Sequence, residues 1–212
     1  MTGDGDGFTT QEMDRFRQVI RERAARDLAA TEELSAEGIP SWLSKLPTAL
    51  PLEFCAQVPF ADNVCMKAPS PVSITSYQCG GLTYSGLRTR MAVGWGPGVE
   101  IENGTIGGTV RYKAALNLII DPSKPCPLAL KLESGTGEEV CISPQNCTIS
   151  PKETVVALAN DLYDTVYDAV KDGFQQIGYV PPEQVLIAIT ALACIAYAVL
   201  IGASVLPGPA SE

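Results

Sequence analysis

Apolar residues recur at helical spacing in the first stretch of the chain, from about Thr10 to Leu34. Arginine and glutamate occupy the other faces, which is typical of an amphipathic helix packed on a domain; a partner-binding or coiled-coil helix is the alternative. Thr9 and Glu12 have the spacing of a capping box, so we expect the helix to begin there. The Gly- and Asp-rich residues 1–8 are expected to be disordered. The apolar stripe consists of Met13, Phe16, Ile20, Ala24 and Leu28.

The pattern changes to alternation between Val72 and Ile149, where short apolar runs are separated by turn residues. The strongest turn signal is Asn103-Gly104, the dipeptide preferred in two-residue hairpins. It lies between the runs Val99 to Glu102 and Thr105 to Tyr112, and Asp121 to Pro125 separates two further runs. Short strands at this spacing predict an antiparallel sheet or a sandwich.

A second amphipathic helix follows the strands. Ser150 and Glu153 have capping-box spacing, and Pro151 suits the first helical turn. Gly178 ends the pattern. The predicted fold is therefore of the α+β class, with a β-rich domain over residues 9–180 that carries amphipathic helices at both ends. The second apolar stripe consists of Val155, Leu158, Leu162, Val166, Val170, Phe174 and Ile177.

The stretch from Val185 to Leu206 contains neither a charged residue nor a proline. As a helix it would be roughly 33 Å long, enough to cross the hydrocarbon core of a bilayer. The alternative is the buried core helix of a soluble protein, but such helices are seldom apolar on every face over this length. We therefore predict a single C-terminal transmembrane helix, with residues 207–212 as a short tail.

Small residues recur at every fourth position of this stretch. Such a stripe lets two helices approach closely in a membrane, which predicts a homo-oligomer formed through the transmembrane helix. The alternative is that alanine and glycine are simply common in membrane helices. The stripe consists of Thr190, Cys194, Ala198 and Gly202.

Cysteine usage favours disulfide bonds. Of seven cysteines, Cys194 lies in the apolar stretch and the rest precede it. An even set of cysteines outside the membrane is typical of a disulfide-stapled domain, although the sequence does not choose among the pairings. A zinc site is disfavoured because CxxC pairs and histidines are both missing. Residues 52–71 are expected to form a stapled loop. The disulfide candidates are Cys55, Cys65, Cys79, Cys126, Cys141 and Cys147.

Two observations conflict over the compartment. The N-terminal stretch of this sequence lacks the basic start and apolar core of a signal peptide, which favours a cytosolic domain, where disulfides are rare. The sequons at Asn103 and Asn146 instead predict N-glycosylation in an oxidising, extracellular or virion-surface setting. A processed precursor, or a viral protein oxidised by a virus-encoded pathway, would reconcile them.

Charge and composition disfavour several function classes. The formal net charge is −9, whereas a nucleic-acid binder needs a basic face, so we expect no nucleic-acid partner. The chain has no histidine, the most frequent general base and metal ligand. Phosphate-binding loops and nucleophile–base pairs are missing too. We expect a protein that is not an enzyme and that uses no cofactor or metal.

Two groups of residues are candidates for a binding surface. Trp95, flanked by glycines and Pro97, is expected at a flexible tip where it could enter a partner or a bilayer, unless it folds back onto the core. Arg88 and Arg90 alternate along one strand and therefore share a face. They could bind a carboxylate or a phosphate, or they could simply be solvated.

These features predict a non-enzymatic single-pass membrane protein whose disulfide-stapled domain serves recognition or assembly at a cell surface or in a virion envelope. The expected partners are the lipid bilayer and other proteins. One alternative is a membrane-tethered lipid-binding or lipid-transfer domain, since a curved sheet with a long amphipathic helix can enclose an acyl chain. Another is an accessory subunit of a membrane complex.

Overall fold

A computed structural model describes residues 8–31, 41–46, 52–57, 62–68, 73–144, 147 and 154–203 of the chain. The expected N-terminal arm, apart from Phe8, lies outside these residues, and so do Asn146, the Ser150 cap and the C-terminal tail. Three α-helices occur in the described part: α1 (Thr10–Ala29), α2 (Val155–Gln176) and α3 (Glu183–Ala203). A short 3-10 helix, Ser41–Lys45, follows α1 and buries Trp42 and Leu43.

The starts of α1 and α2 are both set by threonine caps. In α1 the predicted capping box is present, because Glu12 N donates to Thr9 Oγ1 over 3.1 Å and Thr9 N donates to Glu12 Oε2 over 2.7 Å. The helix ends at Ala29, earlier than expected. In α2 the cap is Thr154, whose Oγ1 accepts from Ala157 N, rather than the expected Ser150. A threonine at this position satisfies a backbone amide through its side-chain oxygen, in the same way as a serine.

The strands form an antiparallel seven-stranded sheet in the order β1-β2-β4-β7-β8-β9, with β3 also paired to β4, and a separate β5-β6 hairpin. The predicted Asn103-Gly104 turn joins β5 to β6, with positive φ at both residues. The predicted stapled loop over residues 52–71 contains strands β1 and β2 instead. The bounds are β1 Leu52–Ala56, β2 Asn63–Ala68, β3 Ser73–Cys79, β4 Leu82–Gly96, β5 Gly98–Glu102, β6 Thr105–Thr109, β7 Tyr112–Ile120, β8 Leu128–Ser134 and β9 Glu139–Ile142.

The long strand β4 organises the sheet. One edge of β4 pairs with β7, and the other edge pairs first with β3 and then with β2. The part of β4 that precedes Gly86 pairs with β3 and curls with it over the outer face of the sheet. The outer-face residues Tyr84, Ile119 and Ala129 therefore share one buried cluster with Cys79. We call the sheet face that packs against the helices the inner face, and the opposite face the outer face.

Helix α3 forms the centre of the hydrophobic core. It packs against α1 and α2 on one side and against β2, β4 and β7 on the other. Tyr197 donates its hydroxyl to the backbone oxygen of Ala129 over 2.7 Å, which ties the helix to β8. Met91, Val93 and Leu116 are inner-face residues of this same core. The helix expected to stand apart from the domain thus packs inside it.

The same helix meets the length and composition of a membrane span. Glu183–Ile201 covers 19 residues with a mean hydropathy of 2.4, and 94% of its most apolar window is buried within the fold. An all-round apolar helix needs apolar surroundings, which either a bilayer or a protein core supplies. In this fold the sheet and the two amphipathic helices supply them.

All six disulfide candidates are paired. Cys55–Cys65 joins β1 to β2, Cys79–Cys141 joins β3 to the edge strand β9, and Cys126–Cys147 joins the start of β8 to the segment after β9. Cys194 is free and buried, as predicted for the cysteine in the apolar stretch. This pairing confirms the prediction of a three-disulfide domain, and it fits an oxidising environment.

Candidate functional site

Two hairpins cover the outer face of the sheet unevenly. The β5-β6 hairpin packs Val99 and Ile106 onto Cys65. The β3-β4 hairpin covers Ile119 and Ala129 further along the strands. Between them lies one row of cross-strand neighbours whose members on β4, β7 and β8 belong to neither cluster, while its end on β9 is Cys141. This central row consists of Arg90 on β4, Asn117 on β7 and Lys131 on β8.

The central row is rich in charge. Arg90 Nη2 lies 3.3 Å from Glu133 Oε2, and Lys131 Nζ lies 3.5 Å from Glu133 Oε1. Lys131 also contacts Glu139 over 3.3 Å, and its side chain is only 18% exposed. Arg88, the other predicted arginine, lies on the same face and donates to the hydroxyl of Tyr77. The ring of Tyr77 lies 4.9 Å from Lys131 Nζ, so it bridges two cations.

Asn117 is the unusual member of the row. Its side chain is 0% exposed, and neither Nδ2 nor Oδ1 has a hydrogen-bond partner within the described residues. A buried polar group without a partner costs about 1–3 kcal/mol. The sequence analysis missed Asn117, because only the register between β4, β7 and β8 places it among the cations. A single polar residue within a strand that is otherwise apolar from Ala114 to Ile120 was the available signal.

Trp95 does not lie at an exposed tip. Its side chain is 0% exposed and stacks on Tyr112 and Tyr179, with ring centroids 5.0 and 5.7 Å away. The glycines beside Trp95 are explained by close packing and not by a flexible tip. A Cβ at Gly94 would lie 2.7 Å from an Ile106 side-chain atom, and one at Gly96 would lie 2.4 Å from a backbone oxygen of β6. These glycines permit the close approach of the β5-β6 hairpin.

The small residues of α3 face the interior of the molecule. Thr190, Cys194 and Ala198 are fully buried, and the surroundings of Gly202 lie outside the described residues. Cys194 lies close enough to Arg23 of α1 to interact with it electrostatically. The stripe lets helices approach closely within this fold. Association of two copies through it remains a prediction for a membrane-inserted form.

A polar contact joins α1 to α2 beside this stripe. Arg23 Nη1 donates to Asn160 Oδ1 over 3.0 Å, and its guanidinium lies over the ring of Tyr163, 4.7 Å from the centroid. Tyr163 donates to Asp27 over 2.9 Å. Burial and the charge of Asp27 raise the pKa of Tyr163, which therefore stays protonated at neutral pH. The cluster fixes the two helices against each other.

A groove of about 860 Å³ lies between α2 and the tip of the β3-β4 hairpin. Four aspartates of α2 line one wall, and Asp164 is paired with Arg23. Among the described residues, no group of three or more histidine, cysteine, aspartate or glutamate side chains is arranged to hold a metal ion. The aspartates are Asp161, Asp164, Asp168 and Asp172.

The predicted glycosylation residue within the described part is accessible. Asn103 is exposed at the β5-β6 turn. The outer face therefore carries a group of charged side chains around Asn117, with an exposed sequon at a separate position. No family model matches the chain, and no curated protein or solved structure is significantly similar to it.

Proposed function

We propose that this protein is a non-enzymatic recognition or assembly protein of an oxidising environment, with the outer face of its sheet as the recognition surface. The observation that carries the proposal is the position of the disulfides. Cys79–Cys141 fastens the β3-β4 hairpin to β9, and Cys55–Cys65 fastens the two strands on the other side of the sheet. A surface held in one conformation loses little entropy when it binds, which favours recognition.

In this proposal α3 is the core helix of the recognition domain. Its burial between the sheet and the other helices supports that role. Without α3, the inner-face residues Leu116 and Leu118 and part of the apolar stripe of α1 would be uncovered. Exposed apolar surface of that extent is unfavourable in water.

A second candidate function adds a membrane. With α3 inserted in a bilayer as a single-pass anchor, the rest of the chain would display its sheet at a cell surface or on a virion envelope, alone or as a subunit of a larger complex. The length and uniform apolarity of α3 favour this candidate. A lipid-carrying domain has less support, because α3 fills the space between the sheet and the helices.

The redox part of the proposal is tested by the mass of the protein from its natural source, denatured and alkylated without reduction. We expect one alkylated thiol, on Cys194, and three intact disulfides. Seven alkylated thiols would place the protein in a reducing compartment and overturn the proposal. A glycan mass that disappears in Asn103→Gln would in addition show that the chain passes through the secretory route.

The recognition part is tested by chemical cross-linking on the natural source followed by purification. We expect another protein, or a second copy, to be recovered at fixed stoichiometry with cross-links to lysines of the outer face, such as Lys67. Recovery of the monomer alone under conditions that cross-link known complexes would contradict it.

A further inference from the structure

We propose that the central row binds an oxyanion, which is a phosphate or carboxylate group carried by a partner. The inference deepens the proposed function and rests on it for the existence of that partner. It names the chemical group that the partner presents to Arg90, Asn117 and Lys131.

The spacing of the row suits a small anion. Neighbouring strands lie about 5 Å apart, so the backbones of Arg90 and Lys131 are about 10 Å apart, with Asn117 between them. Arg90 reaches across the middle strand to Glu133 of β8. Lys131 Nζ lies between Glu133 and Glu139, so a ligand over β7 would draw Lys131 away from these carboxylates. An oxyanion above Asn117 would accept hydrogen bonds from both, and charge-assisted hydrogen bonds of this kind are the strong ones.

Asn117 supplies the second, independent observation. A fully buried amide with two unpartnered polar atoms is a costly feature in the middle of a well-packed sheet. An oxyanion bound above it would accept from Nδ2, and a cation drawn toward that anion could donate to Oδ1. A bound ligand therefore accounts for an asparagine at a position where its neighbours on the outer face of β7 are Ala115 and Ile119.

Glu133 marks the position of the ligand. Its carboxylate contacts both Arg90 and Lys131, yet it extends from the next row, where its cross-strand neighbour is Ala115. It therefore holds the two cations without bonding to Asn117. Glu133 acts as an internal carboxylate that a ligand displaces, and its removal should strengthen binding.

The net charge of the chain argues against non-specific binding of anions. The chain carries −9, so its surface as a whole repels anions. Binding of a small anion must therefore come from a local group of cations rather than from non-specific attraction. Arg88 adds a further cation beside the row, held by Tyr77 and, over 3.3 Å, by Ser73.

The experiment is a titration of the isotope-labelled, oxidised full-length chain with inorganic phosphate, followed by NMR, with sodium chloride at the same ionic strength as the reference. We expect saturable shifts of the Asn117 side-chain amide and of its neighbours in β4 and β8. The dissociation constant should be on the order of 1–10 mM, because an isolated phosphate makes few contacts.

Single substitutions should shift the affinity in opposite directions. Arg90→Ala should weaken phosphate binding about tenfold, and Glu133→Gln should tighten it several-fold. Arg111→Ala is the matched control, because the Arg111 side chain is 58% exposed against 53% for Arg90 and is paired with Asp62 away from the row. It should change the affinity by less than about twofold.

Asn117→Val separates this role from a merely structural one. If the amide is kept for binding, its replacement by an apolar residue should abolish the phosphate shifts and raise the Tm by about 2–4 °C. A fall in Tm with unchanged phosphate binding would show that Asn117 serves the fold alone.

Acetate distinguishes the two sources of the group. Acetate binding as tight as phosphate binding points to a carboxylate of the partner, and binding of phosphate alone points to a phosphoryl group. The inference is overturned if neither anion gives local shifts up to about 50 mM, far above the expected dissociation constant, or if Arg111→Ala weakens binding as much as Arg90→Ala. If both anions fail while a cross-linked partner is recovered, the proposed function stands without this site.

Discussion

Asp121 shows how a single buried carboxylate fixes the outer hairpin. It is 3% exposed and accepts hydrogen bonds from Ser85 N at 2.8 Å and from Ser123 N and Oγ at 3.0 and 2.6 Å. Burial alone would raise its pKa, but the hydrogen bonds from Ser123 and Ser85 outweigh burial and hold the pKa below its usual value. Asp121 thereby joins the curled part of β4 to the turn after β7.

Asp121 predicts a loss of stability in acid. A carboxylate with a lowered folded pKa stabilises the fold fully above its unfolded pKa, about 3.9, and the contribution is lost as the pH falls through the folded value. Asp121→Asn should cost about 1–3 kcal/mol at neutral pH, and the difference from the wild type should shrink below about pH 4. Urea unfolding from pH 7 to about pH 3 measures both.

The exposed Asp172 on α2 is the control for this series. Asp172→Asn should change the free energy of unfolding by less than about 0.5 kcal/mol at every pH. A gap between the wild type and Asp121→Asn that stays constant into strong acid would contradict the assigned protonation state.

Gly86 predicts the largest effect of a single methyl group. A Cβ there would lie 1.8 Å from the backbone oxygen of Ile120, at the point where β4 begins to curl over the sheet. Gly86→Ala should destabilise the protein by about 1–3 kcal/mol or more, because the backbone has to move to make room for the methyl group. Gly107→Ala, where a Cβ meets nothing within 4 Å, should stay within about 0.5 kcal/mol. Equal Tm values for the two variants would contradict the curl.

For single residues, the sequence predicts which face of a strand a side chain lies on better than it predicts which residues surround that side chain. Alternation along β4 correctly places Arg88 and Arg90 on one face. The same local pattern cannot show that Asn117 lies beside Arg90, because that depends on the register of strands far apart in sequence. For Trp95, glycines that permit a close hairpin look the same in sequence as glycines of a loop.

At the scale of elements, the disulfides differ in the length of chain that they close. Cys79–Cys141 spans 62 residues and Cys55–Cys65 spans 10. The longer bridge removes more conformations from the unfolded chain. It also anchors β3, whose pairing partner among the described strands is β4 alone.

Removal of each bridge by a pair of alanines tests this difference. Loss of Cys79–Cys141 should cost about 4 kcal/mol and loss of Cys55–Cys65 about 3 kcal/mol, from the closed loop lengths. Urea unfolding of the two variants, each with its other bridges intact, measures the order. If the short bridge proves the more costly, local packing of β1 on β2 decides its contribution rather than loop closure.

Elements with local signals were predictable from the sequence. The capping box of α1 and the Asn103-Gly104 turn are short, and both are present. Strands β1 and β2 were missed because Pro51, Pro59 and Pro69 bound two short runs, so that neither run is long enough to show alternation. The pairing of the six cysteines likewise depends on which strands become neighbours, which spacing does not encode.

At the scale of the whole molecule, α3 has two possible surroundings. A stretch that is apolar on every face indicates only that its surroundings exclude water, and both a bilayer and a protein core do so. What distinguishes them is the surface left on the rest of the chain. The sheet and α1 present apolar faces that converge on α3, and Leu118, Ile20 and Val170 are each fully buried in that shared core.

The central claim is that α3 completes this core, and truncation of the chain before Glu183 tests it most directly. We predict that the truncated chain, expressed in an oxidising compartment, will lose cooperative unfolding and aggregate, because the inner face of the sheet is uncovered. A chain that ends after Ala203 is the control and should unfold cooperatively. If the chain truncated before Glu183 is instead soluble, unfolds cooperatively and keeps three disulfides, then α3 is a separable membrane anchor and the account of the core is wrong.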